Sequence, residues 1–202
     1  MKQRVSKSDQ NRWADHYTRK AQKEDYPARS VYKLQEIQQK TGLLQRGDRV
    51  LDLGCSPGSW LLYAAQVIGE SGRAVGVDLK PVTVKLPPNA LACIGDLTNL
   101  DGGLREAMGG GYNAVLSDMA PDTTGSKNVD AVRSAGLAEA ALYIACERLV
   151  KGGVFACKIF QGSDFDSFVN RVRIEFDKVK IFKPKSSRKA SKEIYVIGLG
   201  KR

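Results

Sequence analysis

Residues 50–60 read VLDLGCSPGSW. A short apolar segment runs through an acid, Asp52, into a loop with Gly54 and Gly58, with Pro57 between them and the aromatic Trp60 beyond. A continuously apolar run bounded by glycine marks a parallel strand covered on both faces. Glycine at the end of such a strand lets the backbone turn sharply and lets a ligand approach it closely. In an open parallel sheet that end is where ligands sit.

Working outward, strand-like and helix-like segments alternate. Strands are expected over 49–54, 73–79, 90–96, 113–119, 152–160, 178–183 and 193–200. Helices are expected over 28–40, 60–69, 129–150 and 164–176. Ser163 or Asp164 is the expected N-cap of the last helix, Gly42 ends the first, and Lys151-Gly152-Gly153 reads as a helix stop. Strand–helix alternation implies right-handed crossovers and an α/β sheet with helices on both faces. The last two strands are joined only by PKSSRKASK, so they are expected to pair antiparallel.

The loop itself narrows the ligand. The dinucleotide fingerprint G-x-G-x-x-G is missing, and Pro57 stands where that fingerprint presents backbone N–H groups to a pyrophosphate. The P-loop pattern is missing too. Asp78 closes the second strand, where a carboxylate accepts hydrogen bonds from ribose hydroxyls. Asp96 follows the third, within reach of an adenine amino group, and Asp52 favours a cationic ligand. An adenosine that carries positive charge instead of phosphate fits S-adenosylmethionine. Any one of these acids alone reads equally well as a strand-end cap.

The chain has 202 residues and a net charge of +10, unevenly spread. Residues 1–33 carry a net +5, residues 171–202 a net +8, and the body between them −3. Basic ends around a near-neutral body suggest a polyanion held by the termini. The alternative is a solvated surface or a disordered tail. The N-terminus is charged without an apolar stretch, so it does not read as a secretory signal, and no apolar run approaches a bilayer span. Cys55, Cys93, Cys146 and Cys157 show no CxxC spacing. They read as reduced thiols of a cytoplasmic protein, with no metal. One domain over 1–202 is expected, with a basic helical extension over about 1–42.

VLDLGCSPGSW, GVDLKP, GDLTN and SDMAP resemble the motif series of Rossmann-like S-adenosylmethionine methyltransferases. More narrowly, ARSVYKL, LDLGCSPGSW, SDMAPDTTG, KIFQG and KPKSSRKASKEIYVIG resemble the FtsJ/RrmJ (RlmE) family of bacterial ribosomal RNA 2′-O-ribose methyltransferases, from about Trp13 to the C-terminus. The resemblance implies a seven-stranded, mostly parallel sheet with an antiparallel last strand. It also implies methylation of a ribose 2′-hydroxyl by a monomeric, cytoplasmic enzyme. The implied acceptor is a uridine in the A loop of large-subunit ribosomal RNA, and the implied partner is the large ribosomal subunit. The alternatives are a related enzyme acting on transfer RNA, messenger cap or another RNA, a catalytically silent RNA-binding assembly factor, and a nicotinamide-dependent oxidoreductase, which the missing fingerprint disfavours.

Matched motif by motif, the family's Lys–Asp–Lys–Glu set falls on Lys33, Asp118, Lys158 and Glu193. Asp118 and Lys158 stand at carboxyl ends of the fourth and fifth strands, beside the ligand end of the first. An amine buried after the apolar run VFAC loses its proton more easily, as a base near neutral pH requires. Lys33 alone reads equally well as a solvated helix residue, and Glu193 as an edge-strand charge that discourages aggregation. The resemblance places Asp52, Gly54, Ser56, Pro57, Gly58, Trp60, Asp78, Leu79, Asp96, Leu97 and Asp118 at the cofactor, although Trp60 also reads as packing between the first helix and the sheet. Arg12, Arg19, Lys20, Arg29, Lys185, Arg188 and Lys189 are the candidate RNA contacts, with aromatics interleaved among the N-terminal cations. His16 reads as an RNA contact or a surface residue rather than a base.

Overall fold

A computed structural model describes residues 16–188 and 190–202; Arg12 and Lys189 lie outside the described residues. Residues 16–23 are helical (α1). The elements that follow are α2 (Val31–Thr41), β1 (Arg49–Leu53), α3 (Ser59–Ile68), β2 (Arg73–Asp78), β3 (Ala90–Ile94), α4 (Gly102–Met108) and β4 (Tyr112–Ser117). Then come α5 (Lys127–Arg148), β5 (Leu149–Phe160), α6 (Phe165–Glu175), β6 (Phe176–Phe182) and β7 (Glu193–Lys201). The seven strands form one sheet in the order β3-β2-β1-β4-β5-β7-β6. Every pairing from β3 to β5 is parallel. β7 enters between β5 and β6 and runs antiparallel to both. The strand order reverses direction between β1 and β4, and that switch point opens a crevice at their carboxyl ends.

Alternation of side chains along each strand assigns them to two faces. Leu51, Leu53, Val75, Val77, Phe155 and Cys157 pack with α4, α5 and α6 on one face. Val50, Ala74, Ala114, Leu116, Ala156, Tyr195 and Ile197 pack with α2 and α3 on the other. Asp52, Asp118, Lys158 and Glu193 have the parity of that second set. The polar residues of the first, fourth, fifth and seventh strands therefore project toward α2 and α3, although they are far apart in sequence.

Two expectations are corrected. Lys151-Gly152-Gly153 is not a helix stop. α5 ends at Arg148, and the next residue, Leu149, already begins β5. Gly152 has φ 81° within an irregular start of β5, where the register with β4 shifts between Tyr112 and Ala114. A left-handed glycine serves a bulge as readily as a helix cap. The helix α4 was not expected, because Gly102 and Gly103 open it. The side chain of Asp101 caps it by accepting from the Leu104 N–H at 2.7 Å. Asp164 stands at the N-cap position of α6 but makes no side-chain cap bond. All four cysteines are free, and Cys55 and Cys157 among them are buried. Among the described residues no helix is long and apolar enough to cross a membrane.

Candidate active site

Lys33, Asp118, Lys158 and Glu193 come together. Lys33 Nζ lies 3.0 Å from Glu193 Oε2 and 3.9 Å from Asp118 Oδ1. Lys158 Nζ lies 3.0 Å from the same Asp118 oxygen and also donates to the Asp118 backbone carbonyl. The set runs Glu193–Lys33–Asp118–Lys158, with opposite charges alternating. All four side chains are largely withdrawn from water, Lys158 most of all at 5% exposure. Such pairs hold their geometry because breaking one leaves a buried charge unmatched.

Register explains the convergence. Lys158 of β5 stands directly opposite Tyr195 of β7, and Phe160 opposite Glu193. Asp118 follows the last residue of β4, which pairs in parallel with Cys157. Lys33 comes down from α2 onto this surface. Tyr195 was not singled out in the sequence. Its hydroxyl donates to Asp118 Oδ1 at 2.5 Å, and its ring stacks on Trp60 with centroids 5.8 Å apart. The available signal was parity: Tyr195 is two residues beyond Glu193, hence on the same face of the strand.

The electrostatics follow from this packing. Burial by itself would raise the Asp118 carboxyl, but the ammonium groups of Lys158 and Lys33 and the Tyr195 hydroxyl outweigh it and hold Asp118 below the usual carboxylate range. Tyr195 is pushed the other way, well above its ordinary value, by burial and then by the Asp118 and Glu193 charges.

Beside this cluster lies a crevice of about 830 Å³. Gly54, Ser56, Asp78, Leu79, Asp96, Leu97 and Asp118 line it, together with Met119 and with Arg133 and Leu137 of α5. Asp78 accepts from the backbone N–H of Ser56 at 3.0 Å and of Lys80 at 2.8 Å, one per oxygen. Each oxygen keeps a lone pair for another donor. Asp96 accepts from the N–H and hydroxyl of Thr98. Leu79 stands 68% exposed at the rim, an apolar surface on which a flat ring can lie. Gly54 has φ 80°, and a Cβ there would come within 2.6 Å of Met119 Cγ. The far wall is steadied by Asp130, whose Oδ1 accepts from Thr124 N at 2.8 Å and Thr124 Oγ1 at 2.9 Å.

Four of the residues assigned to the cofactor stand back from that lining. Asp52 is fully buried, and neither carboxylate oxygen has a hydrogen-bond partner among the described residues. Burial, followed by the neighbouring Asp118 and Asp78 carboxylates, pushes Asp52 well above the usual range. Pro57 follows a cis peptide bond, and Gly58 is the N-cap of α3. Trp60 is buried and donates from Nε1 to the Ser30 carbonyl at 2.8 Å. It joins α3 to the turn before α2, and its ring packs α3 against Tyr195 of the sheet, as its sequence position suggested.

The candidate RNA contacts divide. Arg29 Nη2 donates to the Ser186 carbonyl at 3.3 Å. Burial, then the charge of Arg188, lowers the Arg29 guanidinium from its ordinary value, and the Glu193 charge acts the other way. Lys185 and Arg188 are exposed on the β6–β7 connection. Arg19 and Lys20 are exposed on α1, where Lys20 Nζ lies 4.6 Å from the Tyr32 ring centroid. His16 is exposed and meets Tyr17 edge-on.

A mixed sheet with β7 reversed, a glycine loop at its switch point and no phosphate cradle defines an α/β fold of the Rossmann-like methyltransferase class. The profile of the FtsJ-like methyltransferase family matches residues 26–201, and the chain belongs to that family. A protein named ribosomal RNA large subunit methyltransferase E from Desulforapulum autotrophicum is 59% identical, over 98% of this chain and 97% of its own length. Another of that name from Desulfatibacillum aliphaticivorans is 54% identical, over 97% and 95%. Among solved structures, a Plasmodium falciparum protein provisionally assigned as a ribosomal RNA methyltransferase superposes with a TM-score of 0.73 at 27% identity, over 87% of this chain and 98% of that one.

Proposed function

We propose that this protein methylates a ribose 2′-hydroxyl of large-subunit ribosomal RNA, using S-adenosylmethionine. The observation that carries the reading is the alternating Glu193–Lys33–Asp118–Lys158 cluster beside the glycine-loop crevice. It stands in a chain closely similar to enzymes named for large-subunit ribosomal RNA. The resemblance of the motifs favours a uridine of the A loop as acceptor, and a monomer acting in the cytoplasm.

The crevice suits the cofactor. Its volume falls within the roughly 300–1,000 Å³ typical of small-molecule sites. Asp78 is free to accept from ribose hydroxyls, and Leu79, Asp96 and Leu97 from the strand ends beyond it would receive the base. Asp52 is an orphaned buried acid beneath the loop, and a cation above it relieves that strain. Bound there, S-adenosylmethionine supplies a methyl group on positively charged sulfur.

The chain's own residues do the rest. A hydroxyl becomes a competent nucleophile only as its proton leaves. Lys158, an ammonium in the alternating set, would first give up a proton to solvent and then take the hydroxyl's, and Asp118 Oδ1 at 3.0 Å fixes the direction of Nζ. Glu193 holds Lys33 at 3.0 Å, and Lys33 shares the Asp118 oxygen. With Lys158 neutral, one cation and two carboxylates leave the cluster at −1, which attracts a sulfonium. Receipt of the proton by Lys158 would return the cluster to neutrality. Alignment of the hydroxyl with the methyl contributes the larger share, up to roughly 7–11 kcal/mol in favourable cases. Arg29 and Arg188 would grip the flanking phosphates.

Large ribosomal subunits from cells lacking this protein, incubated with it and methyl-tritiated S-adenosylmethionine, test the reading. A single new alkali-resistant position in the large-subunit RNA is expected. Absence of incorporation, or methyl recovered on a base, would sink it.

A further inference from the structure

Three side chains at the start of the chain reach the basic connection between β6 and β7. Lys33 holds Glu193, where the connection ends, and Arg29 holds the carbonyl of Ser186. Glu36 takes the backbone directly. Its Oε2 accepts from Lys185 N at 2.7 Å and its Oε1 from Ser186 N at 2.8 Å. Ser186 is thereby held at both its N–H and its carbonyl. Glu36 lies three residues beyond Lys33, so both project from one face of α2.

The connection needs such a hold. Residues 183–192 include Lys183, Lys185, Arg188, Lys189 and Lys192 and no acid. Like charges at this density repel and extend a loop. Ser191 fastens its far end, where the hydroxyl accepts from Glu193 N at 3.1 Å and the carbonyl from Lys183 Nζ at 2.6 Å. In the first half, however, the hydroxyls of Ser186 and Ser187 are buried without hydrogen-bond partners among the described residues. Among the described residues, Glu36 alone offers a carboxylate to the connection's backbone, and it does so with both oxygens on successive N–H groups. Charge-assisted pairs of this kind are the stronger class of hydrogen bond.

We infer that Glu36 is a positioning residue, whose carboxylate clamps two successive amides of the β6–β7 connection and sets the basic loop in its RNA-receiving shape before RNA arrives. The inference rests on the reading of the protein as an RNA methyltransferase. Glu36 touches no reacting atom in that scheme. A loop ordered in advance spares the RNA the entropy of ordering it, so the benefit falls on RNA binding rather than on the chemical step.

Glu36→Ala and Glu36→Gln in the full chain test this, with methyl transfer to large ribosomal subunits from cells lacking the protein. Glu36→Ala is expected to raise the KM for subunits about tenfold, with kcat changed by less than about twofold. Its affinity for S-adenosylmethionine by calorimetry is expected to stay at the wild-type value. Trypsin should cut after Lys185 and Arg188 faster than in the wild type. Glu36→Gln keeps one acceptor oxygen and should show a smaller rise in KM. An unchanged KM beside faster cleavage overturns the inference, and so does an equal fall in kcat. Should Glu36→Ala lose cofactor binding through misfolding, Glu36→Gln decides by the same split. If the wild type itself transfers no methyl to subunits, the functional reading fails. The clamp is then judged by trypsin and by the affinity of each variant for a labelled large-subunit RNA fragment, unchanged values on both overturning it.

Discussion

The hydroxyl of Tyr195 donates at 2.5 Å to the Asp118 oxygen that also faces Lys158. A tyrosine in the middle of an apolar strand thus holds the carboxylate on which the amines converge. Its ring is anchored by Trp60, so the hydroxyl can be removed without disturbing the packing. Tyr195→Phe is expected to lower kcat about three- to tenfold, the effect of one lost hydrogen bond to a charged group. Affinity for S-adenosylmethionine should be retained. A wild-type kcat would show that Asp118 is held well enough by its cations alone.

Lys158→Ala removes the group assigned to the proton. Turnover is expected to fall about 10²–10⁴-fold, the usual worth of a positioned acid or base. Calorimetry should show cofactor binding intact, because Lys158 is not among the residues that line the crevice. Turnover at the wild-type level would remove Lys158 from the mechanism.

Asp52 and Asp118 make opposite contributions to stability across pH. Asp118 is depressed in the folded chain, so its contribution is complete above the unfolded value of about 3.9 and is lost as pH falls through the lower folded value. Asp52 is raised, so folding is favoured where it is protonated and loses that advantage as pH climbs from about 3.9 toward the raised value. Asp52→Asn should therefore melt higher than the wild type at pH 7.5, by about 2–4 °C for each kcal/mol relieved. The gap should close by about pH 4. Binding of S-adenosylmethionine should weaken in the same variant. A lower melting temperature at pH 7.5 would contradict the isolation of this carboxylate.

Affinity for RNA should fall steeply with salt, through release of counterions from the phosphates. Arg188→Ala should reduce the slope of log affinity against log salt by about 1, without altering cofactor affinity. Filter binding at several salt concentrations measures both. An unaltered slope would remove Arg188 from the phosphate contacts.

The sequence alone determined most of the strand and helix pattern, the glycine loop at the end of β1 and the acids at the carboxyl ends of β1, β2 and β3. These are local properties: apolar period, glycine placement and residue type at a strand end are written within a few consecutive residues. The helix α4 escaped because its opening Gly102 and Gly103 disfavour helix, while its Asp101 cap and the cover it gives the sheet favour it. The tertiary structure alone decided which polar groups meet. Lys33 reaches Glu193 across 160 residues, and Glu36 reaches Ser186 across 150. Both contacts exist because β7 is inserted antiparallel between β5 and β6, under α2. Strand insertion is set by the packing of the whole sheet, so no window of sequence contains Tyr195's bond to Asp118 or Glu36's hold on the basic loop.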